Sequence, residues 1–318
     1  MSNLAFIFPG QGAQFVGMGK ALADQYASAR AVFEAVDEAL GEKLTNIMWT
    51  EGSEDALTLT SNTQPALMAV SVAAMAALEE AHGITVEAAK YVAGHSLGEY
   101  SALCAAGAMS VADTAKLLRI RGEAMQAAVA PGVGAMAALL GADDAQAAAA
   151  CEAGIAASGG TCQVANDNAP GQLVLSGDAA AIEAACTHAR ENGVKKAVPL
   201  AVSAPFHCAL MAPAAEKMAA ALAEAEITAP RVPLVANVTA TAGREPEAIR
   251  GQLVEQVTGR VRWRESVAWM VANGIERTGE AGAGKVLTVM NRRNDRSLKG
   301  MTLGTPEDLA AFAESFEA

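Results

Sequence analysis

The pentapeptide Gly94-His95-Ser96-Leu97-Gly98 constrains this chain more than any other feature, because of what flanks it. Tyr91-Val92-Ala93 is a short apolar run of the kind found in buried strands, and a small-residue helix is expected from about Leu97. A G-x-S-x-G between strand and helix requires a turn sharp enough to strain the serine backbone. Glycines two residues to either side remove the Cβ clashes that would block such a turn. The serine Oγ is then presented at a helix N-terminus, where N–H groups can stabilise an oxyanion. The same pentapeptide also fits a glycine-rich turn that only links strand to helix.

The 318 residues suffice for about two domains, or for one large domain carrying an insertion. With 52% hydrophobic and 18% charged residues the chain reads as globular and excludes disorder, collagen and coiled coil. A net charge of −12 has the wrong sign for a surface that tracks nucleic acid or anionic lipid, so neither is expected as a partner. The longest apolar stretch, Ala66 to Leu78, stops at Glu79-Glu80, well short of the ~20 residues of a membrane span, and is expected to be a core helix. The N-terminal MSNLAFIFPGQGAQ lacks the basic start of a signal peptide. Five cysteines form no CxxC pair and no even framework, so reduced thiols in a cytoplasmic protein are expected.

Leu4 to Phe8 reads as a buried strand ended by Pro9-Gly10, and Ala21 to His82 as helical, with Pro65 in the first turn of the Ala66 helix. The pattern then changes. Strand Ala135–Leu140, helix Asp143–Ala157, strands Cys162–Ala165 and Leu173–Ser176, helix Ala179–Asn192 and strand Lys195–Leu200 follow in βαββαβ order, with Asn168 to Gly171 as the turn between the middle strands. Short apolar runs return at Leu234 to Ala236 and Val286 to Met290. The expected class is α/β: an α/β-hydrolase-like body with a parallel sheet, residues 1–130 and 201–318, interrupted by a ferredoxin-like subdomain at 131–200.

A serine nucleophile needs a base, and the chain has only His82, His95, His188 and His207. His82 and His188 are expected to face solvent, and the His95 side chain diverges from that of its neighbour Ser96. That leaves His207, in Ser203-Ala-Pro-Phe-His207, where the chain re-enters the body. Phe8-Pro-Gly-Gln-Gly-Ala-Gln14 follows the first strand and could face the same site, since ligands of open α/β sheets sit beyond the carboxyl ends of strands; it is equally an ordinary strand-to-helix loop. Arg121 lies at the edge of an apolar helical stripe, partly buried, where its planar fork would pair either a structural acid or a substrate carboxylate. His and Cys never fall at close paired spacing, so no metal site is expected.

FPGQGAQ at 8–14, GHSLGEY at 94–100, Arg121 in IRG, GAMAALLG at 134, NAPGQLVLSG at 168, SAPFH at 203 and GKVL at 284 resemble, in order and spacing, the malonyl-CoA:acyl carrier protein transacylases of fatty acid synthesis. Acyltransferase domains of polyketide synthases share the first two motifs. The resemblance implies that Ser96 is acylated and that His207 is its base. It also implies that the Gln11 and Leu97 amides form the oxyanion hole and that Arg121 clamps the malonyl carboxylate. The main-chain carbonyl of Gln256 would orient the histidine, and Asn166 would stand in the site. It further implies malonyl-CoA and holo acyl carrier protein as partners, no cofactor, and a monomer. A lysophospholipase-like serine esterase and a non-catalytic carrier-protein docking module are the alternatives. Between Gln256 and Gly300 nine basic residues face four acidic ones, a local +5 that would suit an acidic carrier protein or merely a solvated face.

Overall fold

The computed structural model describes residues 3–317. Its larger sheet contains β1 (Leu4–Phe8), β2 (Tyr91–Gly94), β7 (Leu234–Val235), β8 (Ala242–Gly243), β9 (Arg277–Glu280) and β10 (Lys299–Thr302), in the order β10-β9-β1-β2-β7-β8. All pairings are parallel except the edge pair β7–β8. The protein is therefore α/β with a predominantly parallel sheet. β1 is apolar without alternation because helices cover both faces: Leu4, Phe6 and Phe8 enter one core, while Ala5 and Ile7 enter another with Ala93, Val235 and Trp263.

The central helix Thr60–His82 buries seventeen of its 23 residues, including the expected Ala66 to Leu78 core except Ala76. It starts earlier than expected, so Pro65 lies inside it rather than in its first turn. The polar residues Thr60 to Gln64 extend it upstream: Asn62 and Thr63 donate backbone N–H groups to Leu59 O, and the Thr63 hydroxyl bonds Leu57 O at 2.5 Å. Val286 to Met290 opens the helix Val286–Asn294. Strands β9 and β10 carry no apolar run; each is held by backbone pairing to its neighbour, which asks little of the side chains.

The second sheet comprises β3 (Gly134–Leu140), β4 (Cys162–Ala169), β5 (Gln172–Asp178) and β6 (Lys196–Pro199), ordered β4-β5-β3-β6 and antiparallel throughout. With helices Asp144–Ser158 and Ala179–Glu191 it has its own core, around Ala137, Leu139, Leu175 and Ile182. β4 runs to Ala169, so Asn168 belongs to a strand rather than to the turn, and Gly171, at φ 72°, makes the reversal. Bulges at Val164/Asn166 and Asp167/Ala169 break the register of β4. There it meets the body: Asp167 N donates to Val261 O at 2.9 Å and Val261 N to Ala165 O at 2.8 Å. Arg264 and Arg260 of the body pair with the buried Asp167 at 2.8 and 2.9 Å.

Candidate active site

Ser96 lies two residues beyond the end of β2 and has φ 53°, a strained value for a non-glycine residue. A Cβ on Gly94 would fall 1.9 Å from the Gly98 carbonyl, and one on Gly98 would fall 2.2 Å from Phe8 O, so both positions require glycine. The turn is braced from behind by Asn237, whose Oδ1 accepts from Ser96 N at 2.8 Å while its Nδ2 donates to Gly94 O at 2.7 Å. Helix Gly98–Ala105 starts two residues after the serine, with Leu97 as its N-cap.

His207 also has positive φ, 57°, and its Nε2 lies 2.8 Å from Ser96 Oγ. Its Nδ1 lies 2.8 Å from the carbonyl oxygen of Gln256, which can only accept. That bond fixes the tautomer: Nδ1 carries the proton, and Nε2 accepts from the serine hydroxyl. Burial, reinforced by the Arg121 charge, pushes the imidazole down to about 3, so it stands neutral at physiological pH.

Arg121 is more deeply placed than expected, fully buried rather than at an edge. Nη1 donates to Gln64 Oε1 at 2.7 Å, and Nη2 to Gln256 Oε1 at 2.8 Å and to Ser96 Oγ at 3.1 Å. All three acceptors are uncharged, and burial lowers the guanidinium's proton affinity. Gln11 and Leu97 stand beside the serine, and among the described residues neither backbone N–H donates a hydrogen bond. A cavity of about 360 Å³ joins Ser96, His207, Arg121, Gln11, Leu97 and Asn166. Met136, Val174 and Leu200 of the second sheet and its flank close the cavity, so it lies between the two sheets. Gln256 is not among the lining residues and reaches the site through its bonds to Arg121 and His207.

Residues 5–279 match the acyl transferase domain family. The chain belongs to that family. This acyl transferase is 45% identical over 309 residues to the malonyl CoA-acyl carrier protein transacylase of Bacillus subtilis, covering 97% of this chain and 96% of that one. It superposes on the crystal structure of an acyl-carrier-protein-S-malonyltransferase from Bartonella henselae with a TM-score of 0.96 at 55% identity, covering 100% of both chains. A malonyl-transacylase in complex with its type II PKS acyl-carrier protein matches at TM-score 0.94 and 38% identity, covering 99% of this chain and all of that one.

Six of the residues singled out in the acyl transferase sequence thus meet at one place: Ser96, His207, Arg121, Gln11, Leu97 and Gln256. Asn166 lines the cavity without bonding the serine or the histidine, and His95 lines it too, with its Nε2 2.8 Å from Asn168 Oδ1. Sequence reasoning missed Gln64, Glu99 and Asn237. Asn237 directly follows the Leu234-Val235-Ala236 run, and the rule that sites gather beyond carboxyl strand ends could have flagged it. Gln64 carried no signal, because only tertiary packing brings it to Arg121.

Proposed function

We propose that this chain is a malonyl-CoA:acyl carrier protein S-malonyltransferase of fatty acid biosynthesis. The observation that carries the reading is Arg121: a buried guanidinium whose hydrogen-bond acceptors are all neutral, 3.1 Å from the nucleophile's oxygen. A carboxylated acyl group held there would gain a charge-assisted, two-oxygen pairing that an acetyl group cannot make.

Ser96 Oγ attacks the thioester carbonyl as His207 Nε2 takes its proton. The tetrahedral oxyanion is met by the N–H groups of Gln11 and Leu97. Collapse breaks the C–S bond; the imidazolium returns the proton to the leaving CoA sulfur, and malonyl-Ser96 remains. The carrier protein's phosphopantetheine thiol then attacks the ester in the reverse sequence, giving ping-pong kinetics. A malonyl carboxylate opposite Arg121 cancels the charge that helps depress His207, so the base strengthens when the correct acyl group is seated. Exchange between two thioesters is nearly isoenergetic and calls for neither metal nor redox group.

We assign residues 1–130 and 201–318 to an α/β-hydrolase-like body and 131–200 to a ferredoxin-like insertion, as the βαββαβ order and the β4-β5-β3-β6 arrangement support. One chain supplies every group used above, which supports action as a monomer. Five buried, unbridged cysteines suit the reducing cytoplasm. Intact mass after mixing with malonyl-CoA tests the function: a persistent malonyl adduct discharged by holo carrier protein is expected. Rapid loss to water would indicate a hydrolase, and no adduct a docking module.

A further inference from the structure

The site contains a buried carboxyl group for which the reaction above has no use. Glu99 is fully buried in the first turn of Gly98–Ala105, three residues after the nucleophile. Its Oε2 accepts from Gln256 Nε2 at 2.7 Å and from Asn237 N at 3.2 Å, while among the described residues its Oε1 has no hydrogen-bond partner. A buried carboxyl with one oxygen unsatisfied is destabilising by itself, so its presence calls for an explanation.

The two residues it joins account for it. Asn237 holds the nucleophile turn through Ser96 N and Gly94 O. Gln256 touches all three working side chains or their backbone: its carbonyl accepts from His207 Nδ1, its Oε1 accepts from Arg121, and its Nε2 donates to Ser96 O at 2.9 Å. Ser96 bonds both residues through its own backbone, and Gln256 Nε2 lies 3.5 Å from Asn237 Oδ1, so the Glu99 oxygen closes from behind a ring that already holds the nucleophile. We propose that Glu99 is a positioning residue, whose single acceptor oxygen clamps Asn237 and Gln256 together and so sets the mutual aim of Ser96, His207 and Arg121.

Burial raises the Glu99 carboxyl to about 7, so both protonation states are populated near neutrality. A protonated carboxyl keeps a carbonyl oxygen that can still accept. The clamp therefore depends on the oxygen's position more than on charge. Glu99→Gln should preserve it, with the amide nitrogen taking the place of the unpartnered oxygen. Glu99→Asp draws the acceptor back by one carbon and should break it.

The proposal rests on the malonyl-transfer reading for its kinetic test, so a second readout needs no substrate: the downfield proton resonance of His207 Nδ1–H. Wild type, Glu99→Gln, Glu99→Asp and Glu99→Ala are compared per active site, titrated by the malonyl adduct. Expected are wild-type resonance and near-wild-type acylation in Glu99→Gln. Glu99→Asp and Glu99→Ala should show a shifted or lost resonance, acylation slower by about tenfold or more, and a reduced malonyl-to-acetyl preference. A merely structural role would lower the melting temperature and the titrated fraction but leave per-site rates and the acyl preference unchanged. If Glu99→Ala does not fold, the Gln/Asp pair decides. An unchanged resonance in Glu99→Asp, or Gln as impaired as Asp, overturns the proposal. Failure of the wild type to form an adduct overturns the function instead and leaves the resonance to judge Glu99.

Discussion

Among the described residues only Ser96, His207 and Ala240 are non-glycines at positive φ, and two of these are the proposed nucleophile and base. Backbone strain of this kind persists only where surrounding structure over-determines it. Ser96→Ala should abolish the malonyl adduct and His207→Ala should slow its formation by roughly 100- to 10,000-fold, both with native circular dichroism. An acid-stable adduct elsewhere in Ser96→Ala would reassign the nucleophile. Arg121→Ala removes both the carboxylate's partner and a buried charge, so malonyl transfer should fall steeply while acetyl transfer falls less or rises; equal losses would make Arg121 structural. The two perturbed acids also make opposing pH predictions. Unfolded His207 takes a proton below its ordinary 6.5 that the folded imidazole, near 3, refuses, so its contribution erodes stability as pH falls. Folded Glu99 holds its proton up to about 7 against an ordinary 4.5, so its contribution is full below 4.5 and lost as pH rises. Between those ordinary values the two cancel. Relative to wild type, Glu99→Gln should lose stability from pH 7 down to 4.5, and His207→Gln should gain it below 6.5, by up to ~1.4 kcal/mol per pH unit in urea titrations.

Elements with their own periodicity or punctuation were legible: β1, β2, the Thr60–His82 helix and the whole βαββαβ order. Helix Asp144–Ser158 shows why. Asp143 Oδ1 accepts from Gln146 N at 2.8 Å and Gln146 Oε1 accepts from Asp143 N at 3.1 Å, a capping box written in four adjacent residues. Asp143→Ala should cost about 1 kcal/mol in chemical denaturation and leave the acylation rate unchanged, because this helix does not line the cavity. Gly98→Ala, by contrast, must displace Phe8 O and should abolish acylation. β9 and β10 stayed hidden because Arg-Thr-Gly-Glu and Lys-Gly-Met-Thr carry no strand pattern; their neighbours' backbone recruits them.

At the scale of the molecule, the basic segment divides. Arg260 and Arg264 are tied to Asp144 and Asp167 across the junction with the second sheet, so these two are internal latches rather than a docking face, and Arg262 pairs with Glu265 three residues on. Lys285, Arg292, Arg296 and Lys299 are exposed around two adjoining hollows that share Arg292 and Gly300. Arg292→Glu with Arg296→Glu should raise the apparent KM for carrier protein and flatten its salt dependence, leaving turnover with a small pantetheine thiol unchanged; an unmoved salt slope would place docking elsewhere. By itself the sequence determined the α/β class and the serine turn, and it singled out His207 and Arg121 as candidates. Each is a local matter: hydrophobic period, glycines that clear Cβ clashes, a scarce histidine, or an arginine beside a helical apolar stripe. Only the tertiary structure decided that Arg121 is met by Gln64 and Gln256 instead of an acid, that Asn237 braces the turn while Glu99 bonds Asn237 and Gln256, and which arginines are latches. Those partners lie up to 160 residues apart, as in the bond from Gln256 to Ser96. Hydrogen bonds between them depend on how two sheets pack together, and no local pattern encodes that.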